Sequence, residues 1–172
     1  ASSGVPRRLT DWTDAAVINA GDGWHQHPTQ ALLDCYTIQQ RFGSLDGLRI
    51  AICGDVNHSR VARSDIDAFT KLGAEVVLVG PRTLLPPSLE GWPVKVEADL
   101  DPVLGDLDVV YLLRIQQERL GSSLLPSLRE YRARYGLTRQ RLARLRPDAL
   151  VMHPGPMNRG VEIDPEAADD ER

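Results

Sequence analysis

Apolar positions along this chain follow two different periods. In one stretch Ala31, Cys35, Ile38 and Phe42 recur at spacings of four, three and four. That is the signature of one helical face and predicts a helix over 28–42. Pro28 suits its first turn and Gly43 its end. Elsewhere the apolar residues come in short unbroken runs, at 48–53, 75–79, 94–96, 108–113 and 149–152, each read as a strand. A further run at 15–19 reads the same way, followed by a turn at Gly21-Asp22-Gly23. Helices are expected at 60–72, closed by Gly73, and at 138–145. Strands that are apolar throughout and alternate with helices predict a parallel sheet covered on both sides. The expected fold class is therefore α/β, an open doubly wound parallel sheet with helices on both faces.

Some stretches break the pattern. Residues 115–138 are the least regular and read as a long loop, a place where enzymes often carry a lid. Residues 80–87 form a Pro-rich loop. At the other end of the chain Pro165, with acidic neighbours, marks the start of a helix.

Composition narrows the class. A chain of 172 residues with 42% apolar content can bury one domain core. No apolar run approaches the length of a membrane span, and the N-terminal residues lack a signal-peptide core, so a cytoplasmic protein is expected. The net charge of −4 gives no reason to expect nucleic acid as a partner. Cys35 and Cys53 lie in apolar surroundings without partners at metal spacing and are expected to be buried thiols. No metal is expected. Lys71 and Lys95 are the only lysines, so nearly every basic residue is an arginine. An arginine therefore needs a motif around it before it implies a ligand.

The segments that follow three strands supply such motifs. Gly54-Asp55 leads to Arg60 after the first, Arg114-Ile115-Gln116 follows the fourth, and His153-Pro154-Gly155-Pro156 follows the last. In open parallel sheets ligands bind at these carboxyl ends, where the strand order reverses. If the strands ending at Cys53 and Leu113 flank that reversal, Arg60 and Arg114 face one crevice. Two guanidinium groups there suit a ligand with two carboxylates. Gln116, two residues beyond Arg114, points the same way if the strand geometry continues. His27 and Gln30 lie three apart at a helix start, where free N–H groups suit phosphate or carbonyl oxygen. His25 falls before that helix and is expected to be a bystander. No GxGxxG is present, and no cofactor is expected.

Taken together these motifs resemble the aspartate carbamoyltransferases. The resemblance is carried by Asn19-Ala20-Gly21-Asp22-Gly23 with His27-Pro28-Thr29-Gln30-Ala31-Leu32-Leu33-Asp34, and by Gly54-Asp55 with Arg60-Val61-Ala62-Arg63-Ser64. It continues through Arg114-Ile115-Gln116-Gln117-Glu118-Arg119 and His153-Pro154-Gly155-Pro156-Met157-Asn158-Arg159-Gly160. It implies transfer of a carbamoyl group from carbamoyl phosphate to L-aspartate in pyrimidine biosynthesis. By the resemblance His27 polarises the carbonyl of carbamoyl phosphate. Gln30, Pro154, Gly155 and Pro156 hold its amine, with a cis Gly155-Pro156 bond. Arg60, Arg114 and Gln116 bind aspartate, and residues 117–138 form a closing loop.

The resemblance also implies what lies outside these residues. The family's Ser-Thr-Arg-Thr phosphate motif is absent from the sequence. Residues 1–26 are then a remnant leading from the carbamoyl-phosphate domain, and 27–172 an aspartate-binding domain without its closing helix. Little transferase activity is expected of the chain alone. The intact family forms catalytic trimers, and regulatory or dihydroorotase-like partners are possible. Two other readings stay open here. One is a truncated, non-catalytic aspartate-binding or scaffold paralogue. The other is an ornithine carbamoyltransferase, whose amino-acid site would lack Arg114 and Gln116.

Overall fold

The computed structural model describes residues 2–115 and 127–172. Five parallel strands form one sheet: β1 (Arg49–Cys53), β2 (Glu75–Val79), β3 (Val94–Glu97), β4 (Val109–Leu112) and β5 (Leu150–Met152). Their order is β3-β2-β1-β4-β5, so the sheet reverses between β1 and β4, as the doubly wound expectation requires.

Alternate strand residues feed two separate cores. Ile50, Ile52, Val76, Leu78, Val109 and Tyr111 pack with α2 (Pro28–Phe42) and α3 (Arg60–Lys71) through Ile38, Ala62, Ile66 and Phe69. Ala51, Cys53, Val77, Val79, Val110 and Leu112 face the other side. There they meet Leu100, Leu104, Leu107 and the residues of α4 (Leu128–Tyr135), α5 (Arg139–Leu142) and α6 (Pro165–Ala168). Burial on both faces is why the strands read as unbroken apolar runs. Both cysteines are buried and unbridged, and burial pushes their thiols up, to about 11 for Cys35 and about 12 for Cys53.

Three expectations need correction. Residues 15–19 form no strand in this sheet: Ile18 is 76% exposed, and the Asn19 side chain instead accepts from the Gly21 N–H at 2.9 Å and bonds Asp22. An apolar run makes a strand only where a neighbour pairs with it. A short α1 (Val5–Leu9) precedes this segment. The irregular stretch at 115–138 contains α4, capped by Ser127, whose Tyr131 and Tyr135 are core residues. The closing-loop expectation is thus overturned for Leu128–Tyr135, while 116–126, with Gln116, lie outside the described residues. Only part of the expected 138–145 helix is regular, with Thr138 as its N-cap. Among the described residues no helix is long and apolar enough to cross a membrane.

Candidate active site

The reversal point opens into a cleft of about 250 Å³. His27, Gln30, Arg60, Arg114, Pro154, Gly155 and Pro156 all line it. Seven of the eight positions singled out from sequence therefore meet, and the eighth, Gln116, lies outside the described residues.

His27 is the N-cap of α2. Its Nδ1 accepts from the Gln30 N–H at 3.3 Å and lies 3.3 Å from the Thr29 hydroxyl, while its own N–H is held by Ser64 Oγ at 2.9 Å. Burial, and then the Arg60 charge, lower its pKa from the usual 6.5, so the ring is neutral at pH 7. With Nδ1 an acceptor, the remaining proton sits on Nε2, leaving that atom as a donor.

Arg60 is the first residue of α3, whose N-cap Ser59 accepts from the Ala62 N–H. Its guanidinium passes over Gly21, with Nη1 3.5 Å from the Gly23 carbonyl. Gly21 has φ +117°, and a β-carbon there would come within 2.7 Å of Arg60 Cζ. Arg114 lies two residues beyond β4 and is half-buried. The starts of α2 and α3 add partial positive charge, so the cleft is built for anions.

The turn after β5 is held from beneath. The Gly155-Pro156 bond is cis. His153 Nδ1 accepts from the Gly155 N–H at 2.8 Å, which leaves Nε2–H to Glu162 Oε1 at 3.2 Å. The same oxygen accepts from the Asn158 N–H, and Asn158 Nδ2 donates to the Ile115 carbonyl at 2.9 Å. The turn is thereby tied to the segment that carries Arg114.

Sequence reasoning passed over several lining residues. Asp55 and His58 form a pair, Nδ1 to Oδ1 2.8 Å, and Trp24 packs edge-on against the His58 ring at 5.1 Å. The Asp-x-x-His spacing within the Gly54–Arg60 connection was the available signal. His25 is not among the residues lining the cleft, and its Nδ1 lies 3.0 Å from Asp22 Oδ2.

A family model for the aspartate/ornithine carbamoyltransferase Asp/Orn-binding domain matches residues 46–172. The chain belongs to the aspartate/ornithine carbamoyltransferase family. A second model of this carbamoyltransferase family, for the carbamoyl-P binding domain, matches residues 2–40, so the two matches meet near the end of α2.

The catalytic subunit of aspartate carbamoyltransferase from Thermobifida fusca is 60% identical over 98% of this chain and 54% of its own length. That from Sphingopyxis alaskensis is 59% identical over 99% and 49%. The chain therefore spans about half the length of the curated carbamoyltransferases it matches. Among solved structures, aspartate transcarbamoylase from Trypanosoma cruzi with phosphate superposes with a TM-score of 0.87 at 29% identity, over 99% of this chain and 58% of that one. The same enzyme with carbamoyl phosphate gives 0.83 at 28%, with the same coverage. The catalytic subunit from M. Jannaschii gives 0.76 at 34%, over 98% and 56%.

Proposed function

We propose that this chain supplies the aspartate-binding half of an aspartate carbamoyltransferase site. The observation that carries the reading is the convergence of Arg60 and Arg114 on one cleft with His27, Gln30 and the Pro154-Gly155-Pro156 turn. Two fixed cations select a dicarboxylate. Ornithine, with one carboxylate and a side-chain ammonium, would set a cation against them.

In this reading Arg60 and Arg114 bind the two carboxylates of L-aspartate, with Gln116 beside them. His27 Nε2–H donates to the carbonyl oxygen of carbamoyl phosphate. The Gln30 side chain and the carbonyls of Pro154, Gly155 and Pro156 accept from its NH2. The neutral α-amine of aspartate attacks the carbonyl carbon. The N–C bond forms, the C–O bond to phosphate breaks, and the amine proton leaves on the phosphate. N-carbamoyl-L-aspartate and phosphate result. Orientation, and a neutral donor aimed at the developing oxyanion, supply the catalysis.

This chain spans 54% of the Thermobifida fusca subunit, and the unmatched remainder is where this reading puts the second half-site. A homotrimer in the intact protein, a regulatory or dihydroorotase-like partner and a cytoplasmic setting are parts of the same proposal. The test joins the missing portion of the Thermobifida fusca subunit to this chain and assays carbamoyl aspartate. Product formation that requires Arg114 supports the reading, and a soluble trimer without activity counts against it.

A further inference from the structure

Beneath Gln30 lies a buried acid cluster that links α2, α3 and β4, three of the elements that bear or lead to site residues. Gln30 Nε2 lies 3.1 and 3.3 Å from the two carboxyl oxygens of Asp34, one turn along α2. The Tyr111 hydroxyl, on β4, donates to Asp34 Oδ2 at 2.8 Å. Asp65, on α3, brings its carboxyl against both the Asp34 carboxyl and the Tyr111 hydroxyl. Asp34 is 4% exposed and Asp65 0%. The Tyr111 hydroxyl hydrogen is directed at Asp34, and no other side chain or backbone group among the described residues donates to Asp65. Two adjacent buried carboxyl groups are satisfied when one keeps its proton and donates it to the other.

The cluster also settles which way the Gln30 amide faces. An ionised carboxylate offers acceptors only, so the amide nitrogen must face Asp34 and the amide oxygen must face away, toward the cleft. We propose that the Asp34–Asp65 pair, holding one proton between its two acids, is a positioning device that locks the Gln30 oxygen toward the cleft as the acceptor for the carbamoyl NH2. The proposal rests on the reading of Gln30 as a carbamoyl phosphate ligand and adds the residues that orient it.

The groups facing Asp65 are few: Asp34 and Cys35 from α2 and Tyr111 from β4, with His27 acting on Asp34 from further up the helix. Burial, and then the Asp34 charge, hold the Asp65 carboxyl well above the usual carboxylate range, and burial raises Asp34 as well. The shared proton is therefore lost only as pH rises through that elevated value. Two adjacent buried carboxylates then repel, and the Gln30 anchor loosens.

The experiment measures KM for carbamoyl phosphate against pH in the full-length protein and in Asp65→Asn, Asp34→Ala and Gln30→Ala. In the unmodified protein KM rises on the alkaline side. Asp65→Asn gives Asp34 a permanent donor and flattens that rise. Asp34→Ala raises the neutral-pH KM for carbamoyl phosphate about tenfold, the size of one lost hydrogen bond, and shifts that for aspartate less than about twofold. An alkaline rise that survives in Asp65→Asn overturns the proposal, as does an unchanged KM in Asp34→Ala. Should Asp34→Ala fail to fold, the isosteric Asp65→Asn decides alone. If Gln30→Ala leaves KM unchanged, the ligand reading has failed and the proposal falls with it. If Gln30→Ala raises KM but the aspartate variants do nothing, only the positioning role is wrong.

Discussion

The guanidinium of Arg60 lies against the backbone of Gly21, where a β-carbon would sit 2.7 Å from Cζ. Gly21→Ala therefore strains a backbone held at φ +117° and displaces the end of the flexible Arg60 side chain, so a loss of thermal stability accompanies the kinetic effect. We expect KM for aspartate to rise about tenfold, equivalent to about 1.4 kcal/mol, with the carbamoyl phosphate KM little changed. Steady-state kinetics on the full-length variant check this. An effect confined to thermal stability would show that Gly21 serves the turn alone.

Arg114 enters the cleft from two residues beyond β4. Arg114→Ala leaves a carboxylate of aspartate without its partner, a loss on the order of 2–5 kcal/mol for a desolvated charge pair. The aspartate KM should rise by about a hundredfold, and carbamoyl phosphate binding, read by isothermal titration, should persist. Equal loss of both ligands would count against the assignment.

His27 presents a neutral ring with its proton on Nε2. His27→Ala should lower kcat by roughly a hundredfold, as removal of one oxyanion donor does, and should move the aspartate KM far less. Protonation of the ring would place a second donor opposite the Gln30 N–H. Because the pKa is lowered from 6.5, the acid limb due to His27 falls below that value and is absent in His27→Ala.

Asp22 ties the turn before α2 together. Burial raises its pKa, but the Gly4 N–H, His25, Asn19 and the Gln26 N–H outweigh it and hold the carboxyl far below the usual range. A carboxyl with a lowered folded pKa contributes stability above its unfolded pKa, and that contribution is lost as pH falls through the folded one. Acid below about pH 4 should loosen this turn, with a smaller exchange protection factor for the Gln26 amide. In Asp22→Asn the pH dependence of that protection factor should disappear, and its persistence would assign the effect elsewhere.

The sheet was legible because its central strands β1, β2 and β4 are buried on both faces, leaving runs such as Ile50-Ala51-Ile52-Cys53 without alternation. The site positions were legible because chain segments at strand ends must turn, and polar residues there have no core to fill. Residues 15–19 misled for the complementary reason: the short apolar run Ala15–Ile18 carries no information about whether a partner strand exists. In α4 the signal was present, since Leu128, Tyr131 and Tyr135 recur at three and four, but arginines and a glutamate dilute it. The meeting of Asp34 with Asp65 and Tyr111 was not readable at all. Three elements distant in sequence must pack before those acids touch, and nothing local marks them.

The most direct measurement is the choice of carbamoyl acceptor by the full-length protein, or by the chimera with the Thermobifida fusca portion, at saturating carbamoyl phosphate. The account predicts N-carbamoyl-L-aspartate from L-aspartate, no citrulline from L-ornithine, and loss of the aspartate product in Arg114→Ala. Citrulline formation, or aspartate turnover indifferent to Arg114→Ala, would contradict it.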